Sequence, residues 1–296
     1  MFVKSSATLA LLSQFGVTFV RKIQTDVMPL KLAANLTTLF PEVKSITERY
    51  EKAKKAGFHY VECAFPFAET KEQLQNVKKK LGLEHVLFNG YPGMSYFSDV
   101  RKGDRGIAAL PDRKKEFQDN VDINIQYAKA LDCKRIHVMA GVTKGLDQKL
   151  CDETYLGDIA LIAVNFAKEG LTCMIEPIND SVTIPGYYLT DVHKAVDVIK
   201  KLNRPNVKLQ FDFFHMQLLH GNFTENFKKY YQYIDHIQVA QAPDRSEPGF
   251  PGEVDYSYVF KLLEDHGYEG YVGLEYMPRG DTMEGLKWLK EMNMTL

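Results

Sequence analysis

From Lys31 onward, short apolar runs alternate with longer stretches whose apolar residues recur about every three to four positions. Eight runs read as strands: KLAANL (31–36), HYVECAF (59–65), HVLFNG (85–90), RIHVMAG (135–141), TCMIEP (172–177), VKLQFDF (207–213), HIQVAQ (236–241) and YVGLEY (271–276). Most are nearly continuous in apolar residues rather than alternating, as parallel strands covered on both faces require. Between them lie stretches of helical period, among them VKSITERYEKAKKAG, RKKEFQDNVDINIQYAKALD and LTDVHKAVDVIKKLN. Thr190–Asp191 and Pro111–Asp112 predict helix starts, and Gly57 and Gly170 predict stops. A weak echo of helix-ending Gly, apolar run and Glu recurs in AGFHYVE, EGLTCMIE and HGYEGYVGLE. Repeated right-handed βα units of this length predict an α/β fold, a single (β/α)8 TIM barrel rather than an open sheet.

The polar residues that close these runs carry the chemistry. CMIEP, LQFDF, HIQVA and VGLEY end on Glu176, Asp212, Gln238 and Glu275, at intervals of 36, 26 and 37 residues. Each interval is about one strand-plus-helix unit. In a barrel this sets all four side chains at the carboxyl ends of successive strands, around one cavity. Two carboxylates about 5 Å apart at an effective dielectric near 20 repel by roughly 3 kcal/mol. A shared proton or a bound cation relieves that repulsion, and either is useful for moving a proton between carbons beside a carbonyl. Glu176 and Glu275 are therefore the candidate catalytic pair for an aldose–ketose-type isomerisation. With Asp212 and Gln238 they form an all-oxygen set suited to one divalent cation, Mg2+ or Mn2+. Such a reaction needs no nucleotide cofactor.

Four further residues are candidates for holding a substrate. His215 reads either as a group that hydrogen-bonds a substrate oxygen or as a satisfied core histidine. His137, inside strand four, and Asn89, at the end of strand three, reach the same pocket in a barrel. Arg245, after strand seven, suits a substrate carboxylate through a bidentate pair. Glu253 either orients Arg245 or caps the next helix. Glu62, at the end of strand two, reads equally well as an ordinary strand-end residue. The connections 90–112, 178–189 and 241–256 are long and would build the rim of the site.

Composition narrows the classes. Across 296 residues the chain is 45% hydrophobic and 25% charged, with a formal net charge of −1. That balance favours neither nucleic acid nor an anionic membrane as partner. The eight His are scattered, against a multi-zinc phosphodiesterase site. Cys63, Cys133, Cys151 and Cys173 form no CxxC pair and read as reduced thiols. Residues 1–30 read as an N-terminal extension ahead of a 31–296 barrel domain. They hold no acid before Asp26, and Lys4, Arg21 and Lys22 are basic, which suits a mitochondrial presequence. The preferred reading is a dispensable extension with Met28 as effective start and a cytoplasmic location.

Longer stretches resemble a known family. LAANLTTLFPE, GFHYVECAFPF, GDRGIAALPDRKKEF, IEPIN, HIQVAQAPDRSEPGFPGEVDY and VGLEYMP are similar to hydroxypyruvate isomerases, within the xylose-isomerase-like barrel superfamily. The resemblance covers residues 31–290. It implies reversible conversion of hydroxypyruvate to 2-hydroxy-3-oxopropanoate (tartronate semialdehyde), with Glu176 and Glu275 as proton donor and acceptor. It also implies Glu176, Asp212, Gln238 and Glu275 as metal ligands, although many relatives carry His where this chain has Gln238. His215 and Arg245 match substrate-contacting positions of related sugar epimerases. The expected partner is a small keto or hydroxy acid; a homo-oligomer is compatible with the chain. The alternative is isomerisation or epimerisation of a longer sugar or keto-sugar acid on the same acid pair.

Overall fold

A computed structural model describes residues 29–94 and 104–296. The proposed extension, 1–30, lies outside the described residues except for Pro29 and Leu30, as does part of the 90–112 connection. The strands are β1 (Lys31–Asn35), β2 (Tyr60–Cys63), β3 (Glu84–Asn89), β4 (Arg135–His137), β5 (Thr172–Ile175), β6 (Val207–Asp212), β7 (Ile234–Val239) and β8 (Tyr271–Leu274). They pair in parallel, each with its neighbours in chain order, and β8 closes on β1. All eight expected strands are present. They end earlier than their apolar runs, most of all β4, whose run continues to Gly141. Beyond His137 the chain leaves the barrel: Ala140 bridges Gly106 and Val142 bridges Tyr187 in antiparallel sense.

Helices α1 (Ile46–Ala56), α2 (Lys71–Leu81), α3 (Lys114–Leu131), α4 (Gln148–Lys168), α5 (Val192–Leu202), α6 (Phe213–Leu219), α7 (Phe223–Tyr230), α8 (Tyr256–Asp265), α9 (Thr282–Gly285) and α10 (Lys287–Glu291) complete the units. Asp191 caps α5, its side chain accepting from His193 N–H, and Val192, Ala195, Val196 and Ile199 form its buried stripe. Gly57 ends α1 at φ 104°, a conformation closed to most side chains. The start expected at Pro111–Asp112 is a short 3-10 turn, and α3 begins at Lys114. Asp255, not Glu253, caps α8; Glu253 Oε2 accepts from Gln217 Nε2 at 3.4 Å. Among the described residues no helix is long and apolar enough to cross a membrane.

Inside the barrel the side chains lie in tiers. At the amino-terminal end Arg135 bonds Asp235 at 2.8 Å and stacks over Tyr271. Ala33, Val86, Leu87 and Met174 pack above it as an apolar cluster. Beside them sits a polar group that a barrel core rarely holds, the fully buried Glu62. Its Oε1 accepts from Asn35 Nδ2 and Gln238 Nε2, each at 2.8 Å, and its Oε2 lies 2.7 Å from His236 Nε2. Gly273 makes the room: a Cβ there collides with both Glu62 oxygens.

On α4, Asp158 is 5% exposed and its Oδ2 has no partner. Burial pushes its carboxyl up from 3.8 to about 7, with Lys114 opposing. The folded state thus holds this proton more tightly than the unfolded chain. That contribution is complete below about pH 4 and is lost as pH rises through the folded value. Asp158→Asn is expected to remove the slope and to raise stability near pH 8 by about 1 kcal/mol or more. Urea midpoints at about pH 5 and pH 8 check this; an equal loss at both pH values contradicts it.

Candidate active site

The strand ends deliver the expected residues to one place. Glu176 and Glu275 are the first residues beyond β5 and β8, Asp212 is the last of β6, and Gln238 is next to last in β7. Asp212 divides its two oxygens. Oδ1 accepts from Phe214 N–H at 2.8 Å and caps α6, while Oδ2 has no hydrogen-bond partner. Because α6 starts directly from β6, His215 on its first turn comes back over the same cavity, its Nε2 3.5 Å from Asp212 Oδ2 and 3.9 Å from Glu176 Oε1.

A continuous chain of contacts crosses the mouth. Asn89 Oδ1 lies 3.2 Å from His137 Nδ1, which lies 3.3 Å from Glu176 Oε2. Beyond His215 and Asp212, the Arg245 guanidinium stands 3.5 Å from Asp212 Oδ2 and 2.9 Å from Glu275 Oε2. Arg245 takes a left-handed backbone, φ 58°, and its guanidinium lies over the Phe214 ring. Seven of the eight candidates from the sequence therefore share one network. Gln238 is anchored on the other side, its Oε1 accepting from Gln210 Nε2 at 2.6 Å and its Nε2 donating to Glu62.

The electrostatics follow from three carboxylates and one guanidinium in little water. Burial, then Asp212 and Glu275, hold the Glu176 carboxyl well above the usual carboxylate range. Burial raises Asp212 against the pull of Arg245. Burial likewise raises Glu275 to about 7, with Arg245 opposing and Asp212 adding to the rise. Burial lowers both histidines, His137 to about 3 and His215 well below its ordinary value. The donor set fits a hard cation. Glu176 Oε1 and Asp212 Oδ2 are buried without partners, and ligand atoms of Glu176, Asp212 and His215 lie within 4.8 Å of one another.

Sequence reasoning passed over the residues behind this network. Asn35, Gln210 and His236, which hold Glu62 and Gln238, carry only a faint signal: Asn35 and Gln210 each sit between apolar neighbours inside a strand run, and His236, which follows Asp235 at the head of its run, shares a strand face with Gln238 two residues on. Asn179, fully buried after β5, had no signal beyond its place in IEPIN.

This barrel with acids at the ends of β5, β6 and β8 defines a class, and the chain belongs to the xylose isomerase-like TIM barrel family, which it matches over residues 50–292. It is 38% identical over 261 residues to the hydroxypyruvate isomerase of Escherichia coli K12, covering 88% of this chain and 98% of that one. It is 36% identical over 262 residues to the 2-oxo-tetronate isomerase of Haemophilus influenzae, again covering 88% and 98%. A crystal structure described as AP endonuclease, family 2 from Brucella melitensis superposes with a TM-score of 0.83 at 43% identity, over 89% of this chain and 99% of that one.

Proposed function

We propose that this protein is a hydroxypyruvate isomerase, interconverting hydroxypyruvate and 2-hydroxy-3-oxopropanoate through an enediolate. The observation that carries this reading is the chain of contacts that joins Glu176 to Glu275 through His215, Asp212 and Arg245. Hydroxypyruvate has an acidic C–H on the hydroxymethyl carbon beside its ketone. Glu275, half ionised near pH 7, is the base that takes this proton. The electron pair moves into the C–C bond and the ketone oxygen becomes the enediolate oxygen. Glu176, whose carboxyl burial and then Asp212 and Glu275 raise above the usual range, delivers a proton to the former ketone carbon. The enediolate oxygen is protonated while the old hydroxymethyl oxygen releases its proton and becomes the aldehyde. One proton leaves one carbon and one arrives at the next, so no electrons leave the substrate.

Arg245 and the neutral His215 are the groups that face these oxygens, with the guanidinium also suited to the substrate carboxylate. His137 and Asn89 hold the far side of Glu176. A divalent cation, Mg2+ or Mn2+, would be held by the carboxylate oxygens of Glu176 and Asp212 with Glu275 as a further donor, and would supply Lewis-acid polarisation of the substrate oxygens; the fourth expected ligand, Gln238, is instead engaged by Gln210 and Glu62.

Purified protein supplied with Mg2+ or Mn2+ is expected to interconvert the two three-carbon acids. Either cation is also expected to raise Tm more at about pH 8 than at about pH 5, because protons compete for the same oxygens. Absence of turnover with both cations sinks the reading. The name of the Haemophilus relative favours one alternative, a four-carbon 2-oxo acid as substrate. The ratio of kcat/KM values for the two substrates decides between them. Cleavage of abasic DNA belongs in the same assay series, given the description of the Brucella structure.

A further inference from the structure

Behind His215 lies a loop residue whose amide can point only one way. Asn179 is fully buried in the turn after β5. Its Oδ1 accepts from Ser181 Oγ at 3.2 Å and from the backbone N–H groups of Val182 and Thr183, each at 3.1 Å. Backbone N–H groups only donate, so this atom must be the oxygen, and the orientation of the amide follows. Its Nδ2 then has two hydrogens and two acceptors, Thr183 Oγ1 and His215 Nδ1, both at 2.8 Å. The Asn179 backbone N–H also points at His215 Nδ1, at 3.4 Å.

We infer that Asn179 is a positioning residue that fixes the tautomer of His215, so that the ring presents Nε2–H to substrate oxygen and does not serve as a metal ligand. With two donors aimed at Nδ1, that nitrogen accepts and carries no proton, so the ring's one proton sits on Nε2. Nε2 is the atom that faces Glu176 and Asp212. A nitrogen carrying its proton has no lone pair for a cation. His215, though within ligand distance of both acids, is thereby a hydrogen-bond donor. The ligand set is left to oxygen. This inference rests on the isomerase reading for what the Nε2–H contacts, but the tautomer itself is independent of it.

Asn179→Asp separates the two roles of the side chain. Aspartate keeps an oxygen in the turn, accepting from Ser181, Val182 and Thr183, and replaces the donor to Nδ1 with an acceptor. In 15N-histidine-labelled protein, the wild-type His215 Nδ1 resonance is expected to be pyridine-like and Nε2 pyrrole-like, with or without saturating Mg2+. In Asn179→Asp, Nδ1 is expected to gain a proton, while Tm stays close to wild type and kcat on hydroxypyruvate falls at least about tenfold with a smaller change in KM. A wild-type Nδ1 that already carries a proton overturns the inference without any variant. So does loss of the Nε2 proton on adding Mg2+, an unchanged Nδ1 in Asn179→Asp, or an altered tautomer with unchanged kcat. Absence of turnover in the wild type counts against the isomerase reading alone and leaves the resonance test standing.

Discussion

Glu176→Gln is expected to raise the melting temperature near pH 8 in the presence of chelator and, on the same protein, to lower kcat by about 10²–10⁴-fold. The two effects have one cause. Glu176 is 4% exposed, its Oε1 has no partner, and its carboxyl is held well above the usual range by burial and by Asp212 and Glu275. A raised folded-state pKa means that the protonated form is favoured by folding. The stabilisation is complete below the unfolded value and is lost as pH rises through the folded one. Glutamine is close in shape to the protonated acid and carries no charge to bury, so it keeps the stability at all pH values. It can neither give nor accept the reacting proton. Glu275→Gln is expected to lose activity to a similar extent, with less gain in stability, because Glu275 is paired with Arg245 at 2.9 Å. Thermal melts at about pH 5 and pH 8 beside single-turnover kinetics test this. Full activity in both variants ends the case for an acid–base pair.

The second large effect is on the fold. Glu62→Leu is expected to destabilise the barrel by about 3–9 kcal/mol, since three buried donors, Asn35 Nδ2, Gln238 Nε2 and His236 Nε2, lose their acceptor at about 1–3 kcal/mol each. Against a typical total of about 5–15 kcal/mol this threatens folding at ordinary temperature. Gly273→Ala approaches the same carboxylate from the steric side and is expected to cost about 1–3 kcal/mol. Urea denaturation of both variants and of the pair measures the coupling. In the double variant leucine leaves no carboxylate for the new methyl to strike, so the two costs should fall short of additive. Wild-type stability in Glu62→Leu contradicts this account.

The eight strands were legible because a parallel strand covered on both faces must be apolar almost throughout. The polar residues that end such runs then stand out. Helix limits were legible where the signal is local: Gly57 needs its positive φ, and Asp191 bonds a backbone N–H two residues on. At Pro111 the local signal marked a turn rather than the helix itself, and at α8 the cap fell to Asp255, two residues beyond Glu253. The Glu62 cluster was hidden for a different reason. Alternation along a strand says that Glu62, His236 and Gly273 face inward, but which of them meet across the barrel depends on closure, register and tier height. The bulge between Val61 and Glu62 shifts that register further. Asn179 was hidden because it sits in a loop and its partner lies 36 residues away, at the start of α6.

Asp212 ends a strand and starts a helix, with one oxygen given to the Phe214 N–H and the other, without a hydrogen bond, 3.5 Å from both Arg245 and His215. Replacement by alanine would therefore remove a cavity charge and, in the same stroke, loosen the helical turn that carries His215. Asparagine is the informative exchange, because its amide oxygen can still seat the helix while the negative charge disappears. The seat of this helix therefore calls for a small side chain that accepts a hydrogen bond, whatever else the position does.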